Sequence, residues 1–243
     1  MYRIADLNVE LNVDGRTKRN AKDYLIKTNE KADMVIDKNY AQACIDYPEF
    51  VQYNWPEEKK TYAYECLNYM YEANYFARQL FNFNGIVLHA SAVVYEEKAY
   101  LFSAVSGMGK STHTSQWLKL FGDKAFILND DKPAIRVLED GIYAYGTPWA
   151  GSTDINRNAK ARLQGICFLH RDEENSIKPM DDEQAFLRLY HAGKRKLTME
   201  QMEKQLDIMS EIIKNVPIYE MGCTPTVEAA KLSYSVMSQS DFK

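Results

Sequence analysis

No stretch of the 243-residue chain approaches the roughly 20 consecutive apolar residues that span a bilayer. Its first residues, Met1 to Asp6, lack the apolar core of a secretory signal. Cysteine is scarce: Cys44, Cys66, Cys167 and Cys223 lie far apart and form no C-x-x-C, which argues against a disulfide framework or a zinc site. Reduced, partly buried thiols in a cytoplasmic protein are the expectation. A basic excess is missing too. The net charge of −4 excludes an electrostatic footprint for nucleic acid, and no membrane partner is expected. His113, His170 and His191 have no spacing that suggests a metal site. There is no internal repeat, low-complexity segment or Gly/Ser linker, so no clean domain boundary is marked.

What the chain does have is a strand-loop-helix pattern around residue 107. Tyr100, Leu101 and Phe102 are an apolar run with strand character, and a helical pattern follows through Trp117, Leu118 and Phe121. Between them lie Ala104, Val105, Ser106, Gly107, Met108, Gly109, Lys110, Ser111 and Thr112, the context of a phosphate-binding P-loop. Gly107 and Gly109 let the backbone curl so that amides converge on phosphate oxygens. The start of the helix adds its positive end to the same anion. Lys110 can reach the outer phosphates and Ser111 can bind Mg²⁺. One position departs from G-x-x-x-x-G-K-[ST]: Ala104 stands where the pattern has Gly, and the expectation is that it tolerates a left-handed backbone at a steric cost.

The neighbouring segments supply acids. Ala125 to Leu128 is an apolar strand ending in Asn129-Asp130-Asp131, the position of a carboxylate that holds Mg²⁺ downstream of a P-loop. One of the two acids can serve the metal and the other can take a proton from an attacking hydroxyl; which does which stays open. The alternative is a solvated Asn-Asp-Asp turn. Upstream, Gly85 to Tyr95 reads as one buried strand, and Glu96-Glu97 as a tight turn into an antiparallel return over Lys98–Ser103. His89 sits mid-strand, either as a hydrogen-bonded core residue or in reach of the phosphates. Downstream, Gly146 to Ser152 is a Gly/Pro-rich loop. Trp149 could stack on a base or substrate there, and Arg157 or Lys160 could face developing phosphoryl charge, unless they are solvated cations.

The rest frames this centre. Residues 1–84 are expected to form a strand-and-helix lobe packed on a core of residues 85–243, or one continuous domain with it. Leu7 to Val13 alternates as a strand ended by Asp14-Gly15, and Met34 to Ile36 is a further short one. From Pro56 a long helical pattern carries Tyr62, Cys66, Tyr69, Met70, Ala73, Phe76, Ala77, Leu80 and Phe81 as a core stripe, with a partner-binding groove as the alternative. Ile135 to Tyr145 is a hairpin about Asp140-Gly141. Leu163 to Leu169 is a strand, residues 181–193 and 199–214 are helices, and Lys194, Arg195 and Lys196 read as a solvated helix end. Pro217 to Glu220 is a short strand, and Thr224-Pro225 caps a last helix.

These stretches together resemble the HPr kinase/phosphorylase catalytic domain and, more closely, small HPr-kinase-like proteins. The shared motifs are Leu-His-Ala-Ser-Ala at 88–92, Ser-Ala-x-Ser-Gly-x-Gly-Lys-Ser-Thr at 103–112, Asn-Asp-Asp-Lys-Pro at 129–133 and Gly-Thr-Pro-Trp-x-Gly at 146–151. The resemblance covers roughly residues 85 to 170. It implies an α/β (α+β) phosphoenolpyruvate-carboxykinase-like P-loop fold, with a mixed, largely antiparallel sheet and flanking helices. It implies that Lys110 and Ser111 bind nucleotide phosphate and Mg²⁺, that Asp130 and Asp131 share metal binding and base work, and that His89 lines the phosphate site. The Arg/Gly-rich signature that HPr kinases carry after the acidic pair is not found, so neither HPr as acceptor nor the hexamer carries over.

The leading expectation is therefore a kinase using ATP, or another nucleoside triphosphate, and Mg²⁺ on a hydroxyl. Relatives that phosphorylate a serine of a small peptide make a peptide or small protein the implied acceptor. Two alternatives stand beside it: a nucleotide-binding switch without transfer, and carboxykinase-type chemistry on a small acid. A GTPase is disfavoured because no Asn-Lys-x-Asp follows the acidic strand. Homo-oligomerisation is left open.

Overall fold

A computed structural model gives the fold and describes residues 1–239. The chain begins with β1 (Tyr2–Ile4) and β2 (Leu7–Asn12), antiparallel about Ala5 and Asp6, whose φ angles of 52° and 59° are those of a tight hairpin turn. After α1 (Gly15–Asn20), strand β3 (Met34–Asp37) joins β2 in parallel. Two short helices, α2 (Tyr40–Asp46) and α3 (Pro48–Gln52), lead to the long α4 (Lys60–Leu80). Tyr62, expected on the core stripe of α4, is 60% exposed; Ala63 and Leu67 turn inward instead. Phe76, Ala77 and Leu80 are fully buried and carry the helix onto the sheet below.

That sheet holds β4 (Gly85–Val87), β5 (Ala90–Tyr95), β6 (Lys98–Ser103), β7 (Ala125–Asn129), β8 (Ala134–Leu138), β9 (Gly141–Tyr145), β10 (Lys160–Arg171), β11 (Ser176–Pro179) and β12 (Ile218–Cys223). Its main path runs β4-β8-β9-β10-β6-β5-β7. The long β10 pairs with β9 through residue 162, shifts register between Leu163 and Gly165, and then takes β12 on the same edge. That change of partner curls the sheet. Only β10 with β6 and β10 with β12 run parallel; the other pairs are antiparallel. One face is covered by α6 (Asp182–Ala192) and α7 (Met199–Asn215), which bury Leu189, Met209 and Ile212 against Leu101, Leu128 and Ile166. On the other, α5 (Lys110–Phe121) and α8 (Val227–Met237) pack Trp117, Ala229 and Ala230 on Tyr100 and Phe102. The result is a mixed α/β fold with a curled sheet and flanking helices.

Three local expectations are corrected. Residues 85–95 are not one strand: β4 pairs with β8, β5 with β6 and β7, and the chain crosses between them at Leu88-His89. The last helix starts at Val227 with Thr226 before it, because Thr224 is taken up by Asn175, which accepts from its backbone N–H and its hydroxyl. Arg195 is no solvated helix end. Its guanidinium donates to the carbonyls of Val87 and Gly193, its Nε is buried without a partner, and burial pulls its pKa down to about 10.

Candidate functional site

The break in the strand creates the site. Where β4 ends and β5 begins, the His89 N–H donates to the Ala192 carbonyl at the end of α6 (3.0 Å). The Ser103 hydroxyl donates to the His89 carbonyl (2.9 Å), and the Ala90 N–H donates to the Asp131 carbonyl (3.1 Å). The backbone around His89 is thus pinned from three elements. Its ring leaves the strand line and meets the side chains of the other two motifs.

Between β6 and α5 the loop curls through Gly107 (φ +78°) and Gly109 (φ +103°), left-handed values that a side chain resists. Ala104 is not among the left-handed residues, so the expected steric cost of Ala there does not arise. The loop closes on itself with one bond, Met108 N–H to the Val105 carbonyl (3.1 Å). The Ser106, Gly107 and Gly109 amides have no acceptor among the described residues. Ser111 and Thr112 are exposed on the first turn of α5. A buttress with no sequence signal comes from Arg171, at the far end of β10, which donates to the Gly107 carbonyl (2.9 Å).

Lys110 opens α5 and is itself buried. Its ammonium donates to His89 Nε2 (3.0 Å), and no carboxylate stands within ion-pair distance of it among the described residues. Burial lowers its pKa, against the pull of Asp131 and Asp130. The same His89 nitrogen lies 3.1 Å from Asp131 Oδ1. It cannot serve both partners at once: unprotonated it accepts from Lys110, protonated it donates to Asp131. Lys132 holds the other Asp131 oxygen (3.0 Å). Burial pushes the Asp131 carboxyl up, but the His89 bond and Lys132 outweigh it and leave the pKa at about 2.

The two acids face different ways. Strand β7 is not beside β6; β5 lies between them, and Asp130 reaches the loop helix through it. The Ser91 hydroxyl on β5 donates to Asp130 Oδ1 (2.7 Å) and stands 2.9 Å from the Thr114 hydroxyl of α5. Asp130 is 6% exposed, whereas Asp131 turns towards His89 and Lys110.

The three residues expected to meet substrate are held elsewhere. Trp149 is 1% exposed and packs its ring 4.9 Å from that of Phe76 on α4, so it is core and not a stacking platform. The Arg157 guanidinium lies over the Phe126 ring (4.1 Å). Lys160 donates to Asp6 (2.6 Å), tying β10 to the first hairpin. Beside the loop, a cavity of about 220 Å³ opens between His89, Val105, Met108, His170, Arg188 and His191. A larger hollow, about 730 Å³, lies away from this chemistry between α2, α3 and α4, where Tyr40, Phe50, Trp55 and Tyr64 line it.

No family model matches the chain, and no curated protein matches it. Among solved structures it is similar to the Hpr(Ser) kinase/phosphatase from Coxiella burnetii at 14% identity. That match covers 63% of this chain and 88% of the other, with a TM-score of 0.37. Likeness of that depth does not assign a site, so the functional reading rests on the geometry of this chain.

Proposed function

We propose that this chain is an ATP-dependent phosphotransferase acting on a hydroxyl, with a serine of a peptide or small protein as acceptor. One observation carries the reading. Lys110 and Asp131, from two separate motifs, both approach the Nε2 of His89 from a third, at 3.0 and 3.1 Å, at the mouth of a glycine loop.

The residues fit a nucleotide phosphate. Unclaimed amides at Ser106, Gly107 and Gly109, the start of α5 and a buried lysine lacking a carboxylate partner are together an anion cradle. Ser111, on the first turn of α5, and Asp130, which is linked to α5 through Ser91 and Thr114, would hold Mg²⁺. Bound Mg·ATP would supply the phosphoryl group and a cation that draws charge from it. Lys110 would balance charge on the outer phosphate oxygens, and His89 would orient Lys110. Asp131, the acid turned towards the cleft, would align the acceptor hydroxyl and take its proton. A carboxyl held at about 2 is a weak base. A loose transition state transfers that proton late, so orientation matters more than basicity.

Single-turnover incubation with γ-labelled ATP and an extract containing acceptors tests this. Label is expected on a serine-bearing acceptor, and Lys110→Ala is expected to lower transfer by at least about a hundredfold. Nucleotide uptake with no label on any acceptor would leave only a switch protein. Undiminished transfer by folded Lys110→Ala would remove the reading altogether.

A further inference from the structure

We infer that Asn129 is the positioning residue for Asp131, with the loop of residues 146–151 as its footing; this rests on the phosphotransfer reading for Asp131. Asn129 ends β7 and is fully buried. Its Oδ1 accepts from the backbone N–H groups of Asp131 (2.9 Å) and Lys132 (2.6 Å). Both lone pairs of that oxygen are therefore used to shape the turn that carries the acid.

An aspartate could do as much. What an aspartate could not do is donate, and the amide of Asn129 donates throughout. Its Nδ2 points at the Thr147 carbonyl (2.9 Å), the Thr147 hydroxyl (3.2 Å) and the Trp149 carbonyl (3.2 Å). Thr147, also fully buried, closes the circuit by donating its hydroxyl to the Lys132 carbonyl (2.8 Å). The acid turn and the loop are thus stitched together by one amide and one hydroxyl. At the loop's far end Gly151 (φ +64°) lies so close that a Cβ there would stand 2.8 Å from Asp131 Cβ. The loop is a wall against the acid as well as an anchor.

The footing is fixed from the N-terminal lobe. Asn20 donates to the Pro148 carbonyl (3.2 Å) and to Asp154 (2.6 Å). The Tyr69 hydroxyl donates to the Pro148 carbonyl (3.2 Å) and accepts from the Ala150 N–H (2.6 Å). Arg16 donates to Asp154 (2.7 Å) and to the Gly151 carbonyl. Residues far from any phosphate thereby set where Asp131 stands, and misplacement of about 1 Å in such an apparatus costs about a hundredfold in turnover.

The test separates turnover from binding. Asn129→Asp keeps the shape and the acceptor oxygen but sets a carboxylate against three oxygens. Thr147→Val deletes the hydroxyl, and Thr147→Ser restores it. In the labelled-ATP assay, Asn129→Asp and Thr147→Val are expected to lower kcat by at least about tenfold with the nucleotide KM within about twofold, and Thr147→Ser to stay near the parent. Independently of activity, amide exchange in Asn129→Ala is expected to speed up at Asp131 and Lys132 by at least about tenfold while α5 keeps its protection. Unchanged kcat in folded Asn129→Asp and Thr147→Val overturns the inference. So does a joint loss of kcat, KM and α5 protection, which would mean a general role in folding. If the parent transfers no phosphate, the proposed function falls while the exchange result still decides whether Asn129 sets the Asp131 turn.

Discussion

His89 Nε2 stands between a cation and an anion, 3.0 Å from Lys110 and 3.1 Å from Asp131, and that placement has a measurable cost on acidification. The Asp131 pKa lies at about 2 in the fold against an ordinary 3.8, so the group binds fewer protons folded than unfolded near pH 3. A depressed carboxyl contributes stability that is complete above pH 4 and is lost as pH falls through about 2. The whole contribution is about 2 kcal/mol, shared between His89 and Lys132. His89→Gln removes one of those two partners. The variant is expected to be about 1 kcal/mol less stable than the parent at pH 5, the gap closing by pH 2. Urea unfolding at half-unit steps checks it, and a gap that widens towards acid would contradict the account. The residues that proved legible in the sequence were those whose chemistry is local: a glycine curl, a lysine, paired acids. Arg171 and Ser91 were not, since their partners lie 64 and 39 residues away. Trp149 was misread because its Gly/Pro-rich surroundings signal a loop but not which way the loop folds.

Between α1 and α4 the packing hides a carboxyl. Glu72 is 1% exposed; Thr17 donates its hydroxyl to one oxygen and the other has no partner. Burial raises its pKa to about 7, the Thr17 bond opposing; Asp14 adds to the rise and Lys38 subtracts from it. A raised carboxyl pKa stabilises the fold below the ordinary 4.5, and that contribution disappears as pH climbs through about 7. The span amounts to about 3 kcal/mol. Glu72→Gln cannot ionise, so it is expected to match the parent near pH 4 and to exceed it by up to about 3 kcal/mol at pH 8. Parallel stability curves for the two proteins between pH 4 and 8 would rule out a buried, proton-binding Glu72. Elements with strong local punctuation were readable, among them the turns at Glu96-Glu97 and Asp140-Gly141. The strand break at His89 was not. Leu88 and Ala90 are as apolar as a continuous strand requires, and only the pairing of β4 with β8 separates it from β5. Strand β11 carries two exposed ends and one half-buried Ile177, too little alternation to stand out.

At the scale of the molecule, the first 84 residues and the sheet share one hydrophobic cluster. Ile4, Val9, Tyr24 and Ile36 from the lobe join Phe76 and Leu80 of α4, and these meet Val87, Ala134, Tyr145 and Trp149 of the core. Polar ties cross the same seam: Arg136 donates to the Ala5 carbonyl (2.8 Å) and the Tyr145 hydroxyl donates to Asp6 (3.0 Å). This is why composition marks no boundary near residue 84, for neither side can face water there. Removing residues 1–84 would uncover Val87, Tyr145 and Trp149, worth about 2 kcal/mol each, roughly 6 kcal/mol in all. That is comparable to the whole stability of a typical domain, about 5–15 kcal/mol. Residues 85–243 made alone are therefore expected to lack a cooperative urea transition and fixed aromatic near-ultraviolet dichroism, although the glycine loop and both acids are present. A fragment that unfolds in one sharp transition would show that the lobe is an appendage. The same truncation deprives Asp131 of the footing that Asn20, Tyr69 and Arg16 give the loop beside it.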